Sequence, residues 1–339
     1  MSNHHMPEHV ISVAFIERRP FTDQVSIERV FEGVRSHLPS DIKTTRYEMS
    51  YPSKGLVDRV RIMFEARRCP GDVTHVTGDI NFATILCRRD RTVLTIHDLE
   101  FLRRAGRLKR ILFKWLWLRL PIWRAAVVTT ISQATRDELL EVAPRADPKI
   151  NVVSNFLPDG FQSTPRAFNA ERPRILAIGT APNKNLDRLA AALSDIKCRL
   201  VIVGTLSPAQ ESRLRAHGID YQSRAGLDAE KMVKCYRDCD MLAFVSTTEG
   251  FGLPILEAQA TGRPVVTSDA SSMPEVAGDA ACLVDPFDTT SIHAGIERVI
   301  RDANYRDQLV EAGYTNAERF SADSVASDYA DIYRRLSEH

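Results

Sequence analysis

The chain has 339 residues, 44% of them hydrophobic and 26% charged, a globular composition with length enough for two domains. A formal net charge of +1 excludes a strongly basic nucleic-acid binder. The opening "MSNHHMPEHV" lacks an apolar leader and no run approaches the roughly 20 apolar residues of a membrane span, so the sequence predicts a cytoplasmic chain.

In chain order, "VISVAFI" (10–16) predicts a buried strand, and "VSIERVFEGVRSHL" the helix after it. "DVTHVTG" (72–78), "TVLTIHD" (92–98), "AAVVTTIS" (125–132) and "KINVVSN" (149–155) predict further strands, with a helix over "QATRDELLEV". Short apolar runs separated by helical patterns indicate parallel strands buried on both faces, as in a doubly wound sheet. "FLPDGFQSTPRAFNAERP" (156–173), with three prolines and little periodicity, reads as a linker. The alternation then restarts with strands at 174–180, 198–204, 219–224, 240–246, 263–268 and 280–285, with helices from Asn185, from Ser207, near 228–238 and after Pro254. Residues 291–338 read as helices. The reading is two α/β halves: an N-terminal domain over 1–165, a C-terminal domain over 166–320, and a helix over 321–339. The six cysteines (Cys69, Cys87, Cys198, Cys235, Cys239, Cys282) form no zinc-site pattern and read as free buried thiols in a reducing compartment.

In open α/β sheets ligands bind beyond the carboxyl ends of strands, so the loops after strands carry the functional weight. "STTEGFGLPILE" (246–257) places Glu249 before a Gly250-Phe251-Gly252 turn and Glu257 inside the next helix. Glycines let the backbone approach a ligand, Pro254 suits a helix start, and the free N–H groups there attract an anion such as a diphosphate. "GTAPNKNLDRL" (179–189) ends a strand at Gly179 and sets Lys184 just before a helix, where its ammonium can neutralise phosphate. "TIHDLE" (95–100) puts His97 and Asp98 at another strand end, a polar pair suited to a sugar or to proton transfer. Glu275 and the Ser271–Ser272 pair also follow a strand, with no evident role.

Taken together, "EGFGLPILEAQATGRPVVTS", "SSMPEVAGDAACLVDP", "AIGTAPNKNL", "CYRDCDMLAFVS", "TIHDLEFLRRAG" and "ISQATRDEL" resemble the retaining glycosyltransferases of family GT4, the group 1 family. The resemblance implies the GT-B fold: two Rossmann-like doubly wound domains facing a central cleft, the final helix crossing back to the first domain. It implies transfer of a hexose from a UDP- or GDP-sugar, GDP-mannose among the candidates, to a saccharide or lipid-linked acceptor, without a metal or other cofactor. Glu249 would hold donor-sugar hydroxyls and Glu257 the ribose. Lys184 would neutralise the diphosphate, helped by Thr180 and the amides from Gly250 to Leu253, with Gly179, Asn185 and Arg188 in the same donor site. His97 would contact the donor sugar or its departing phosphate, and Asp98 the sugar or the acceptor. Two departures stand out. Thr180 occupies the place where many relatives carry arginine. The turn after the first strand, "IERRPFTDQ", has no glycine, which leaves Arg18 and Arg19 as substitutes for its phosphate contact. The absence of a GxGxxG fingerprint argues against a dehydrogenase. A sugar-nucleotide 2-epimerase leaves the paired glutamates unexplained, and a non-catalytic sugar-nucleotide-binding module is the other alternative.

"FLRRAGRLKRILFKWLWLRLPIWR" (101–124) carries eight Lys/Arg and no acid, with Arg103, Arg107, Arg110 and Lys114 on one helical stripe. Such a basic amphipathic helix suits contact with an anionic membrane surface, the inner face of the cell membrane, and a lipid-linked acceptor. The plainer alternative is an apolar face packed in the first domain with solvated arginines.

Overall fold

The computed structural model describes residues 10–19, 26–104, 106, 111 and 113–338. These divide into two compact units: one runs to Phe156 and takes in Ala322 onward, and the other is Leu157–Ser321.

The first unit is built on a six-stranded sheet of β1 (Ile11–Glu17), β2 (Ile42–Glu48), β3 (Val73–Val76), β4 (Thr92–Ile96), β5 (Val127–Thr130) and β6 (Ile150–Val152), in the order β2-β1-β3-β4-β5-β6. Every pairing in it is parallel. Alternate residues of β1 serve opposite faces, as the pleat requires. Ala14 and Ile16 join one core with Met49, Ile62, Leu94 and Leu118. Val13 and Phe15 join the other with Phe31, Val73, Tyr329 and Tyr333. The second core is closed by two helices, Ser26–His37 and Ala322–Ser337. Gly33 makes room in the first of them: a Cβ there would meet the Phe156 ring at 2.1 Å.

The helix Ala322–Ser337 also carries polar anchors into this unit. Tyr333 Oη lies 2.7 Å from His75 Nδ1, and His75 Nε2 lies 2.7 Å from Thr95 Oγ1, which meets Thr129 at 2.6 Å. Burial holds His75 neutral, its pKa pushed down to about 3. Arg334 grips Asp41 with two bonds of 2.9 and 3.0 Å, which lowers the Asp41 carboxyl below its ordinary range.

The second unit holds β7 (Arg174–Ile178), β8 (Arg199–Val203), β9 (Tyr221–Arg224), β10 (Met241–Phe244), β11 (Val265–Ser268) and β12 (Cys282–Val284), in the order β12-β11-β10-β7-β8-β9. All pairings are again parallel. Its core joins Ile175, Ala177, Leu200 and Ile202 to Leu189, Leu214, Ile296 and Val299 of flanking helices. The strand order reverses between β7 and β10, and such a switch point opens a crevice at the carboxyl ends of those two strands.

The stretch 157–173 has no regular element, yet it is clasped to the second unit. Leu157 N donates to Phe320 O at 2.9 Å, Arg166 Nε to Asp240 at 3.3 Å, and Arg263 to Thr164 O at 2.9 Å. The six cysteines are free, five of them buried, and burial pushes the thiols of Cys87 and Cys239 up to about 12. Among the described residues no helix is long and apolar enough to cross a membrane.

Only part of the basic stretch falls within the described residues. Arg107 and Arg110, and the Arg103 side chain, lie outside the described residues. Lys114–Arg119 is a π-helical turn whose Leu118 is buried, with Phe113 and Trp117 packed on the first unit's core.

Candidate functional site

At the second unit's switch point, the loops after β7 and β10 come together. Gly179 leaves β7 with φ +91, and a Cβ there would meet Lys184 Cε at 2.8 Å. Glycine is therefore what lets the lysine stem lie across the strand end. Lys184 Nζ then donates to Glu249 Oε1 at 2.6 Å and sits 4.8 Å from the Phe244 ring centroid. The two charges are only 20% and 15% exposed as side chains. Partly removed from water, each lessens the desolvation cost of the other.

The loop backbones are tied together as well. Thr247 N donates to Asn183 O at 2.8 Å, and Asn183 Nδ2 to Thr248 O at 3.1 Å. Asn185, at φ +60, is buried. Its amide nitrogen donates to Val245 O and Pro286 O, and its oxygen accepts from Arg188 at 3.0 Å. Asn185 is thus a clasp between β10 and the 286 loop, and Arg188 is held beside it with its guanidinium 5.5 Å from the Phe287 ring. Thr180 donates its hydroxyl to Thr205 O at 2.9 Å, while its carbonyl accepts from Gln210.

The Gly-Phe-Gly turn is shaped by three neighbours. Phe251 is buried edge-on against Phe320, with centroids 5.7 Å apart. Gly252, at φ +119, caps the helix Leu253–Ala260. Ser271 donates to Glu249 O at 2.7 Å and Ser272 to Phe251 O at 2.5 Å, so the serine pair fixes the loop that carries Glu249. One turn into that helix, Glu257 accepts a hydrogen bond from the Tyr236 hydroxyl. Glu257 is half-buried and its carboxyl is densely surrounded. Burial pushes it up to about 7, against the opposing pull of the tyrosine hydrogen bond. Tyr236 itself is wholly buried, and burial beside that carboxyl raises its phenol well above the ordinary value.

His97 and Asp98 lie in the first unit, after β4. His97 Nε2 is 2.8 Å from Thr77 O; a carbonyl only accepts, so Nε2 carries the proton and Nδ1 is the acceptor of the neutral ring. Asp98 accepts from Glu100 N at 2.9 Å. Both line a cavity of about 420 Å³ with Asp79, Asn81, Arg59 and Trp117. Arg59 lies 4.4 Å from the Trp117 ring centroid. Arg18 is buried and committed to Glu28 at 3.0 Å and Asp79 at 2.7 Å.

Sequence reasoning missed Tyr236, Asn183, Arg59, Asn81 and Trp117 as site residues, and could assign no role to the serine pair. Each acts through contacts tens of residues away in the chain or from a helix face with an ordinary core pattern, which leaves no local signal. Among the described residues no three His, Cys, Asp or Glu side chains are placed to hold a metal ion.

Comparisons with known proteins point the same way in both units. The profile of the family described as Glycosyltransferase Family 4 matches residues 18–159, and that of Glycosyl transferases group 1 matches residues 161–316. An exopolysaccharide phosphotransferase of Streptomyces coelicolor is 27% identical over 312 residues, covering 88% of this chain and 32% of that protein. The serotype-specific mannosyltransferase WbdA of Escherichia coli is 24% identical over 237 residues, covering 63% of this chain and 29% of that one. The chain therefore spans about a third of the length of these curated relatives. Among solved structures, Anabaena HepE in complex with UDP-glucose superposes with a TM-score of 0.77 at 15% identity, over 96% of this chain and 100% of that one. That likeness is one of fold, and the fold is GT-B.

Proposed function

The protein belongs to the group 1 glycosyltransferases of family 4, and from that premise we propose that it moves a hexose from a nucleotide-diphosphate sugar to a saccharide or lipid-linked acceptor, with retention, in the assembly of a surface polysaccharide or glycoconjugate. The observation that carries this reading is the Lys184–Glu249 pair of 2.6 Å at the β7/β10 switch point, beside the N-terminus of the helix Leu253–Ala260. A departing nucleoside diphosphate gathers negative charge on its phosphate oxygens as the anomeric C–O bond breaks. Lys184 and the amides of Gly250 to Leu253 supply fixed positive charge for it, which is why the proposal includes no metal. Phosphate draws Lys184 away from Glu249, and the released carboxylate accepts sugar hydroxyls. Glu257, steadied by Tyr236, accepts the ribose hydroxyls.

The acceptor side is read from the first unit. The cavity at His97 and Asp98 combines hydroxyl-binding groups with the Trp117 ring, a chemistry suited to a saccharide. With its Nε2–H turned to Thr77 O, His97 has Nδ1 as the ring atom left to meet a hydroxyl. The mannosyltransferase name of WbdA supports mannose as a transferred sugar, and the UDP-glucose bound to HepE supports a UDP-sugar as donor; GDP-mannose joins the candidates on the sequence reading.

A thermal-shift screen of UDP, GDP and their sugars is the first test, because a ligand of the native state raises the melting temperature. Release of nucleotide diphosphate from the stabilising donor, with Glu249→Ala as control, follows. Tight donor binding with no release in the presence of any acceptor extract would instead support the non-catalytic binding module.

A further inference from the structure

The first unit holds a second cavity, of about 480 Å³, away from His97 and Asp98 and unused by the proposed transfer. Its walls come from the stretch 115–123 and from 142–149. Two of its lining residues are tryptophans left open to solvent: Trp115 is 56% exposed and Trp123 is 54% exposed. Val142, Ala146 and Ile122 give it a buried apolar floor. Two exposed indoles over an apolar floor make a contiguous patch, and such a patch rimmed by polar groups marks an interaction surface.

The charges around this groove have one sign. Arg119, Arg145 and Lys149 line it and no carboxylate does. Each exposed indole is paired with a guanidinium: Arg119 lies 4.9 Å from the Trp115 ring centroid and Arg89 lies 4.6 Å from that of Trp123. Neighbouring acids are engaged elsewhere, Asp147 with Arg136 and Asp90 with Arg88 at 3.4 Å. Lys149 is spent on the fold, donating to Ala125 O at 2.9 Å and to Ile122 O; Arg119 donates its Nε to Val142 O at 3.0 Å yet stays exposed, as Arg89 and Arg145 do, so these three are the cations open to solvent.

We infer that this groove docks the protein onto an anionic phospholipid bilayer, with Trp115 and Trp123 at the boundary between headgroups and acyl chains and the three arginines on the phosphates. The chemistry is complementary on both counts: amphipathic rings favour that boundary, and guanidinium pairs with phosphate bidentately. The surface differs from the basic stripe read in the sequence. It joins one end of that stretch to residues 89 and 145, which only the fold brings near. It lies outside the donor site, so it stands or falls independently of the transferase reading.

The test is co-sedimentation of the full chain with vesicles of phosphatidylcholine alone and of phosphatidylcholine with phosphatidylglycerol, at about 0.01 M and about 1 M salt. Binding is expected to the anionic vesicles only and to fade at high salt. Arg89→Gln with Arg145→Gln should weaken it on the order of fivefold per arginine, and Trp115→Ala with Trp123→Ala should abolish it. Donor-dependent nucleotide diphosphate release in solution should stay unchanged in both double variants. Equal binding to neutral and anionic vesicles, or full binding by the tryptophan variant, overturns the proposal. So does a concentration-dependent dimer, lost in that variant, with no vesicle binding; the groove would then join two copies. Should the alanine pair abolish cooperative unfolding, Trp115→Phe with Trp123→Phe leaves Trp117 as the sole tryptophan. Vesicles should then leave its emission unmoved while shifting that of the unaltered protein, and a full shift from Trp117 overturns the idea as well.

Discussion

The two sheets have the same strand count and the same parallel pairing, yet their carboxyl ends are furnished differently. In the second unit, two loops meet at the switch point and pair a lysine with a glutamate at 2.6 Å, with serines and asparagines pinning the backbone around them. In the first unit, the corresponding cation Arg18 is locked between Glu28 and Asp79, and the open groups are His97 and Asp98 beside an indole. On the proposed reading, one mouth suits concentrated negative charge and the other neutral hydroxyls. The same architecture thus supports two kinds of recognition, and the difference resides in a few loop residues.

Lys184→Ala should break the comparison hardest. Removing the cation aimed at the leaving group should lower kcat by about 10²- to 10³-fold, or about 2.7–4 kcal/mol. Steady-state rates with the stabilising donor test this, and a fall of less than fivefold would take Lys184 out of the chemistry. On the other unit, His97→Ala should cut turnover while leaving the nucleotide Kd from calorimetry within about twofold. A parallel loss of nucleotide affinity would contradict the separation of tasks.

Protonation should next separate the units. Burial lowers His75 from 6.5 to about 3, so the folded first unit binds fewer protons there than the unfolded chain. Its contribution to stability is complete above about 6.5 and is lost as pH falls toward 3. Burial raises Glu257 from 4.5 to about 7, so the folded second unit binds more protons, and its stability falls as pH rises through that window. Between pH 5 and 6.5 the two slopes have opposite signs, each at most about 1.4 kcal/mol per pH unit. Thermal unfolding against pH should lose the first slope in His75→Gln and the second in Glu257→Gln. Ionisation of Glu257 should also improve its acceptance of ribose hydroxyls, so donor KM should fall as pH rises through about 7, and Glu257→Gln should flatten that profile. The smallest effect is expected from Tyr333→Phe, which leaves His75 Nδ1 without its partner at a cost of about 1–3 kcal/mol, read by urea unfolding with nucleotide affinity unchanged.

Much of this was legible in the chain. Strands such as "RILAI" and "TVLTI" are continuous apolar runs because both faces are covered, and the Glu249 and Lys184 loops follow directly from where those runs end. β2 escaped notice because it is an edge strand, "IKTTRYE", with mostly open side chains. The helix Gly55–Arg67 escaped because Leu56, Val57 and Phe64 point outward, 73%, 64% and 49% exposed, which blurs the period. The long-range partners were beyond reach. Nothing near Asn185 announces that its amide reaches carbonyls 60 and 101 residues away, and nothing near Tyr236 names Glu257.

The helix Ala322–Ser337 belongs to the first unit, although the whole second unit is threaded before it. During synthesis the second unit has all its strands and can close while the first still lacks a wall: Phe15, Phe31 and His75 wait for Tyr329 and Tyr333. The half that begins first is therefore finished last. A nascent chain stalled before Ala322 should be a folded second unit tethered to a first one that exposes aromatic surface and recruits chaperones.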